Sequence, residues 1–349
     1  MSDHLLARID ALLPCIRGRA DDLDQTGEWP SEDLAELGRA DILGMALPQR
    51  CGGSGSSALD QHLAYEAIAR GSLAVSLILS QRDAAIGFIE ASNGAARDAL
   101  LEELAAGTFT TVGIAQLTTS RQGGPPALRA ARDGAGYRID GLIPWCTGAA
   151  QAAFVVAGAA TDDGQHLLFA LRPQAPGVAV DPPMPLVALR SAWTASIHCE
   201  GVRIGPADVI TGPAPKVLAR ANHLPLGQAY LAMGLCQAAL DLIAAHRSPA
   251  AQAAAESFES QIGDLRERLL ALSQPEREAD AAEASPEIRG RCNDLAVRIT
   301  HAAVALYKGT ALLAGHPAQR LAREAMFLLV WSCPNPVIDC TVELLSAEC

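Results

Sequence analysis

No CxxC pair occurs among the nine cysteines, which are odd in number and scattered along the chain. That spacing excludes a disulfide frame and a zinc ribbon, and fits reduced, mostly buried thiols. A broad basic face is missing too. The formal net charge is −12, which argues against nucleic acid as a partner. An anionic cofactor stays open, because a few arginines and helix N-termini suffice for phosphates. The opening MSDHLLARIDALLPC sets Asp3, Arg8 and Asp10 where a signal sequence needs an apolar core. Nor does a membrane span stand out. The most apolar stretch, Leu224 to Ala245, holds Gln228, Gln237 and Asp241, which reads as a buried core helix. The expected location is the cytoplasm.

What is present is a globular profile. Half of the residues are apolar, 19% are charged, and no long polar tract interrupts them. The 349 residues allow two or three units of roughly 100–200 residues each. No internal repeat is visible.

Composition changes twice. Residues 1–110 read as helical. Pro30-Ser31-Glu32-Asp33 is a helix start with Ser31 as the cap and acids in the first turn. Leu34, Leu37, Ile42 and Leu43 form an apolar face before Pro48, and Leu63, Ala67, Ile68, Leu73, Leu77 and Ile78 continue the pattern. Residues 111–212 read as short strands: Thr111–Gln116, Tyr137–Ile143, Phe154–Ala157, His166–Leu171 and Thr194–Ile204, with Asp133-Gly134 and Asp140-Gly141 as turns or bulges. Such strands predict a small barrel or sandwich. Residues 213–349 return to helix. Leu295, Ile299, Ala302, Leu306 and Leu313 share one face, Gly315-His316-Pro317 separates two helices, and Ser273–Glu287, with Pro275 and Pro286, reads as a surface loop.

Three passages in this order resemble the acyl-CoA dehydrogenase superfamily. They are Leu37–Pro48 followed by Gly52-Gly53-Ser54-Gly55, then Arg132–Gly141 followed by Trp145-Cys146-Thr147, then His316–Ala325. The resemblance covers nearly the whole chain. It implies an α+β fold with an N-terminal helical domain, a middle β-barrel or sandwich domain and a C-terminal four-helix bundle. It also implies a flavin, FAD with FMN as the alternative, and a small acyl substrate such as an acyl thioester. A homodimer or homotetramer packed through the C-terminal helices is implied as well. So is a flavin reductase or electron-transfer partner.

Site residues follow from the same resemblance. Trp145 and Thr147 stand two apart on a strand, so both face one side, as a wall and a hydrogen-bond donor for a flavin ring. A core Trp beside a strand Thr is the plainer alternative. Gln116 and Thr118, in the stretch Gly113–Thr119, are candidate donors to the pyrimidine side, or ordinary edge and turn residues. The Gly52–Gly55 run follows Pro48 rather than a strand, which makes it a tight connection and not a phosphate loop.

The catalytic pattern departs from the family. The Glu that removes the substrate's α proton usually stands nine residues after the Arg of the last passage, and that slot from Arg323 is Ser332. An earlier alternative slot, Asn222-His223-Leu224-Pro225, has no acid. A serine hydroxyl without an activating partner is no base near neutral pH. His223 is the titratable group the resemblance places nearby, as an acid or base or as a surface residue before a helix. The Arg that the family directs at the ADP half of FAD has no counterpart in Arg247–Ala255. Arg320 and Arg323 could serve a phosphate, or pair with Glu324 or Asp339. Cys333 reads as a buried thiol rather than a nucleophile. Three readings remain: an acyl-thioester oxidoreductase, a reduced-flavin monooxygenase, and a non-catalytic binding subunit.

Overall fold

A computed structural model describes residues 2–118, 126–215, 217–218 and 226–347. His223 and its neighbours Asn222 to Pro225, and Thr119, lie outside the described residues. Five helices come first: α1 (Ser2–Thr26), α2 (Ser31–Arg39), α3 (Ala58–Gly71), α4 (Leu73–Glu90) and α5 (Arg97–Ala105). The strands are β1 (Thr110–Gly113), β2 (Leu128–Asp133), β3 (Gly136–Cys146), β4 (Phe154–Thr161), β5 (His166–Leu171), β6 (Val178–Val180), β7 (Ala195–Ile204) and β8 (Val209–Ala214). Helices α6 (Gly227–Ala244), α7 (Pro249–Leu272), α8 (Glu278–Tyr307), α9 (Pro317–Leu328) and α10 (Asn335–Ser346) close the chain.

Local chemistry explains many ends. Ser57, Ser72 and Ser248 accept backbone N–H groups of Asp60, Val75 and Ala251 in the first turns of α3, α4 and α7, each supplying a partner to an otherwise orphaned donor. His316 caps α9 the same way, accepting from Ala318 N at 3.2 Å, with Pro317 in the first turn. Ser31 is not a cap. Pro30 holds that position, and Ser31 opens the first turn of α2.

Two expected boundaries move. Ser273–Glu287 is largely helix, because α8 starts at Glu278 and runs through Pro286. Ala281, Ser285 and Ile288 are buried along that stretch, so packing of its inner face outweighs the missing proline hydrogen bond. At its other end α8 stops at Tyr307, where Lys308 takes φ +54°. Leu313 therefore leaves the predicted apolar face and is exposed.

The strands form one sheet in the order β6-β7-β3-β2-β4-β5-β8, with β1 parallel to β4. Strand β4 is buried on both faces. Val155, Ala157 and Ala159 join the core of the sheet's own interior, while Phe154 and Val156 pack with Ile86, Ile89 and Leu101 from α4 and α5. A third core joins the two helical zones. Ile9 and Ile16 of α1, Tyr65 and Ile68 of α3, Tyr230 and Met233 of α6 and Ile288 and Leu295 of α8 belong to one cluster. Helices α6, α7, α8 and α9 pack as a bundle, α3 lies on α6, and α10 lies on α8.

The α3–α6 crossing is close. A Cβ on Gly234 would stand 2.3 Å from Glu66 O, so only glycine lets these backbones approach. Among the described residues no helix is long and apolar enough to cross a membrane, and no His, Cys, Asp or Glu group could hold a metal.

Candidate functional site

The site lies where the sheet meets the helices. A cleft of about 1670 Å³ is walled by α3 and α4, by the ends of β1 and β3, and by α8 and α9 with the turn that follows. The end of β3 supplies Trp145 and Thr147, and both line the cleft. Cys146 between them points the other way, into the sheet core, as the period of two requires. The register of β3 against β7 shifts between Ile143 and Cys146, an irregularity that accommodates Pro144.

Trp145 is 48% exposed although its strand is otherwise largely covered. Thr147 is buried, with Oγ1 3.5 Å from Thr194 Oγ1, and Thr194 shares the cleft wall. A flat apolar indole and a hydroxyl pair thus stand side by side with an open volume in front of them. Thr118 also lines the cleft, its Oγ1 donating to Ala115 O at 3.1 Å.

Gln116 is placed elsewhere. Its Nε2 donates to Gly113 O at 2.8 Å and Gly158 O at 2.7 Å, so the amide hydrogens are engaged inside the sheet. Ser332 reaches the cleft on the turn after α9, in the left-handed region at φ +48°. A non-glycine there is uncommon and marks a constrained turn.

Arg320 and Arg323 are committed to protein carboxylates. Arg320 holds Glu324 and Asp21, while Arg323 holds Asp24 and donates to Gln319 Oε1 at 2.7 Å. Of these only Arg323 lines the cleft. The expected partner Asp339 does not take part. Cys333 is a buried thiol, pushed up by burial against the pull of Arg289.

Three further groups in the wall have no motif in the sequence. His62 of α3 is 3% exposed, stacks on Tyr230 at 4.8 Å, and finds no hydrogen-bond partner for either ring nitrogen. Burial holds it down to about 3, so it is neutral at physiological pH. Asp83 of α4 accepts from Tyr65 Oη at 3.0 Å and Arg82 Nη1 at 2.7 Å. Burial outweighs both and raises it to about 6. Arg289 of α8 is buried in the wall beside Ser332. Its one available signal was local. Ser285 and Asn293 one turn away offer no acid, so a buried Arg at that spacing has no helical counter-ion.

The comparisons with known proteins agree with this layout. Residues 15–108 match the family model for the acyl-CoA dehydrogenase N-terminal domain. The probable acyl-CoA dehydrogenase YngJ of Bacillus subtilis (strain 168) is 29% identical over 237 residues, which is 65% of this chain and 62% of YngJ. The match therefore spans less than two thirds of that relative. Among solved structures, butyryl-CoA dehydrogenase from Megasphaera elsdenii superposes with a TM-score of 0.86 at 18% identity, covering 99% of this chain and 98% of that one. Dibenzothiophene monooxygenase (TdsC) from Paenibacillus sp. A11-2 gives 0.84 at 14% identity, covering 98% and 97%. At such identities the shared property is the fold.

Proposed function

Since the chain has the fold of the acyl-CoA dehydrogenase superfamily, with that family's N-terminal domain at residues 15–108, we propose that it is a flavin-dependent oxidoreductase acting on an acyl thioester or a comparable small apolar substrate. The observation that carries this reading is the placement of Trp145 and Thr147 together on the cleft wall. The half-exposed indole fits a flat ring in front of it, and the Thr147 hydroxyl fits a polar ring edge. A bound flavin would supply the electron-accepting chemistry, which no protein side chain offers.

The chain's own residues do the rest. Trp145 would cover the ring face, and Thr147 with Thr194 would offer hydroxyl donors beside it. Ala84, Phe88, Met326 and Phe327 give the cleft an apolar wall that excludes water from the reacting groups. FAD is the expected flavin and FMN the alternative. Ile338, Val342 and Leu345 form an exposed apolar stripe on α10, which supports assembly of copies through the C-terminal helices.

A second reading is a reduced-flavin monooxygenase, served by a separate flavin reductase. Ser332 in place of a carboxylate favours it, as does the likeness in fold to TdsC, described as a dibenzothiophene monooxygenase with FMN-bound forms. Titration of the purified protein with FAD and with FMN, each oxidised and reduced, separates the readings. Tight binding of oxidised flavin, followed by its bleaching with an acyl thioester, supports the oxidoreductase. Binding confined to reduced flavin supports the monooxygenase. No binding in either state rejects both and leaves a non-catalytic binding subunit.

A further inference from the structure

Arg289 is 6% exposed and forms part of the cleft wall. Its Nη1 donates to Ser332 O at 3.2 Å. Its Nη2 donates to Ser332 O at 3.2 Å and Trp331 O at 3.3 Å, and lies 3.7 Å from Cys333 Sγ. These partners are carbonyl dipoles and a thiol that burial keeps protonated. The Nε hydrogen finds no acceptor, and Nη1 keeps a second hydrogen, since a guanidinium carries five. No carboxylate faces Arg289 among the described residues.

Among the described residues, most other charges of the cleft are answered. Arg323 meets Asp24, Asp83 meets Arg82, and Glu90 meets Arg50 and Arg97. Glu278 is exposed at the start of α8, about 16 Å along the helix from Arg289 at 1.5 Å per residue. Buried charges are otherwise paired, because an unanswered one carries its full desolvation penalty. Arg289 breaks that rule in the wall of an open cleft. It does so beside Ser332, the slot where the family resemblance calls for an acid.

We propose that Arg289 is an anion-recognition residue of this cleft, and that the substrate brings a carboxylate to it. This rests on the reading of the cleft as the substrate site. The negative charge that the protein does not supply arrives with the ligand, and Ser285, one turn earlier on the same face of α8 and also in the wall, borders the same spot. Phe327 and Trp331, stacked at 5.5 Å, flank it with aromatic surface for the apolar remainder of such a molecule. The substrate class is thus an apolar acid or a thioester carrying a second, free carboxylate.

The test is calorimetry on the full-length protein without flavin, comparing hexanoate with its neutral isostere hexanamide. Wild type is expected to bind hexanoate at least about tenfold tighter, the scale of a charge-assisted hydrogen bond. Arg289→Met should bring the two within about threefold of each other. Because that variant loses the pins on Ser332 and Trp331, Ser332→Glu is measured alongside. It offers Arg289 an internal carboxylate without removing the guanidinium, and should weaken hexanoate binding while sparing hexanamide. Equal binding of both compounds by wild type overturns the proposal. A preference that survives in both variants overturns it too, as does a preference for inorganic phosphate over hexanoate. Flavin titrations on the same samples judge the oxidoreductase reading separately, so a protein that takes hexanoate but no flavin fails only that reading.

Discussion

Arg320 of α9 donates Nε to Asp21 of α1 at 2.7 Å, and its Nη1 reaches the Glu324 oxygens at 3.0 and 3.1 Å. One turn on, Arg323 meets Asp24, so two arginines on α9 answer two aspartates on α1. Arg320 and Glu324 are both buried, where burial pushes the Glu324 carboxyl up and Arg320 pulls it back. Arg320→Met should lower the unfolding free energy by about 3–5 kcal/mol at neutral pH, because Glu324 is left buried without a cation. Adding Glu324→Met should restore most of it. Denaturant melts of the single and double variants check this, and a single-variant loss below about 1 kcal/mol would mean the pair is solvated in solution.

His62 and Asp83 give the stability opposite pH slopes. His62 is lowered from 6.5 to about 3 by desolvation, so the folded state binds fewer protons than the unfolded chain across that window. Its contribution is present above about 6.5 and lost as pH falls. Asp83 is raised from 3.8 to about 6 by burial, so the folded state binds more protons there. Its contribution is present below about 4 and lost as pH rises through about 6. His62→Phe, which keeps an aromatic ring against Tyr230, should gain on wild type by about 1.4 kcal/mol for each pH unit below about 6. Urea melts at steps from pH 4 to pH 8 test the sign, and a constant difference across that range refutes it.

Gly234 sets the distance between α3 and α6. A Cβ there would meet Glu66 O at 2.3 Å and Ala69 Cβ at 2.6 Å, and both are fixed by the α3 backbone. Gly234→Ala is expected to destabilise the protein by at least about 1–3 kcal/mol despite the better helix propensity of alanine. The control is Gly263→Ala on α7, where a Cβ meets nothing within 4 Å. It should stabilise by about 0.5–1 kcal/mol. Thermal melts that rank the two variants the other way would contradict the packing account.

Trp145 and Thr147 make separable contributions if a flavin ring sits before them. Trp145→Ala should weaken flavin binding by about tenfold or more through lost ring contact. Thr147→Val, matched in shape, should cost less affinity and instead shift the flavin absorption band, as one hydrogen bond is removed. Equal and negligible effects in a flavin titration would place the ring elsewhere.

The sequence made some of this layout legible because the signals were local. Strand β5 is expected at His166–Leu171 and is found there, since a short apolar run between polar and turn residues is a signal that acts over a few positions. His316-Pro317 likewise marked the start of α9. Pro286 misled because its helix is held by burial of Ala281 and Ser285 against distant elements, and periodicity near a proline carries no record of that. Gln116 is a candidate donor, or an ordinary edge residue, from its place in a motif, and its amide hydrogens go to Gly113 O and to Gly158 O on another strand. His62 gives no local signal, and for Arg289 the helix shows only that no acid stands one turn away. Their meaning lies in what does not face them, and a missing partner is a property of three dimensions.

The single core shared by the N-terminal and C-terminal helical zones also has a consequence in time. On a ribosome adding roughly 5–20 residues per second, α3 is complete well before α6, its main packing partner, which begins at Gly227. For roughly 10–30 s at that rate, the α6-facing surface of α3 stands without its cover. Nascent chains stalled before residue 227 should therefore recruit holdase chaperones through the α1–α4 segment, and release them once α6 has cleared the exit tunnel.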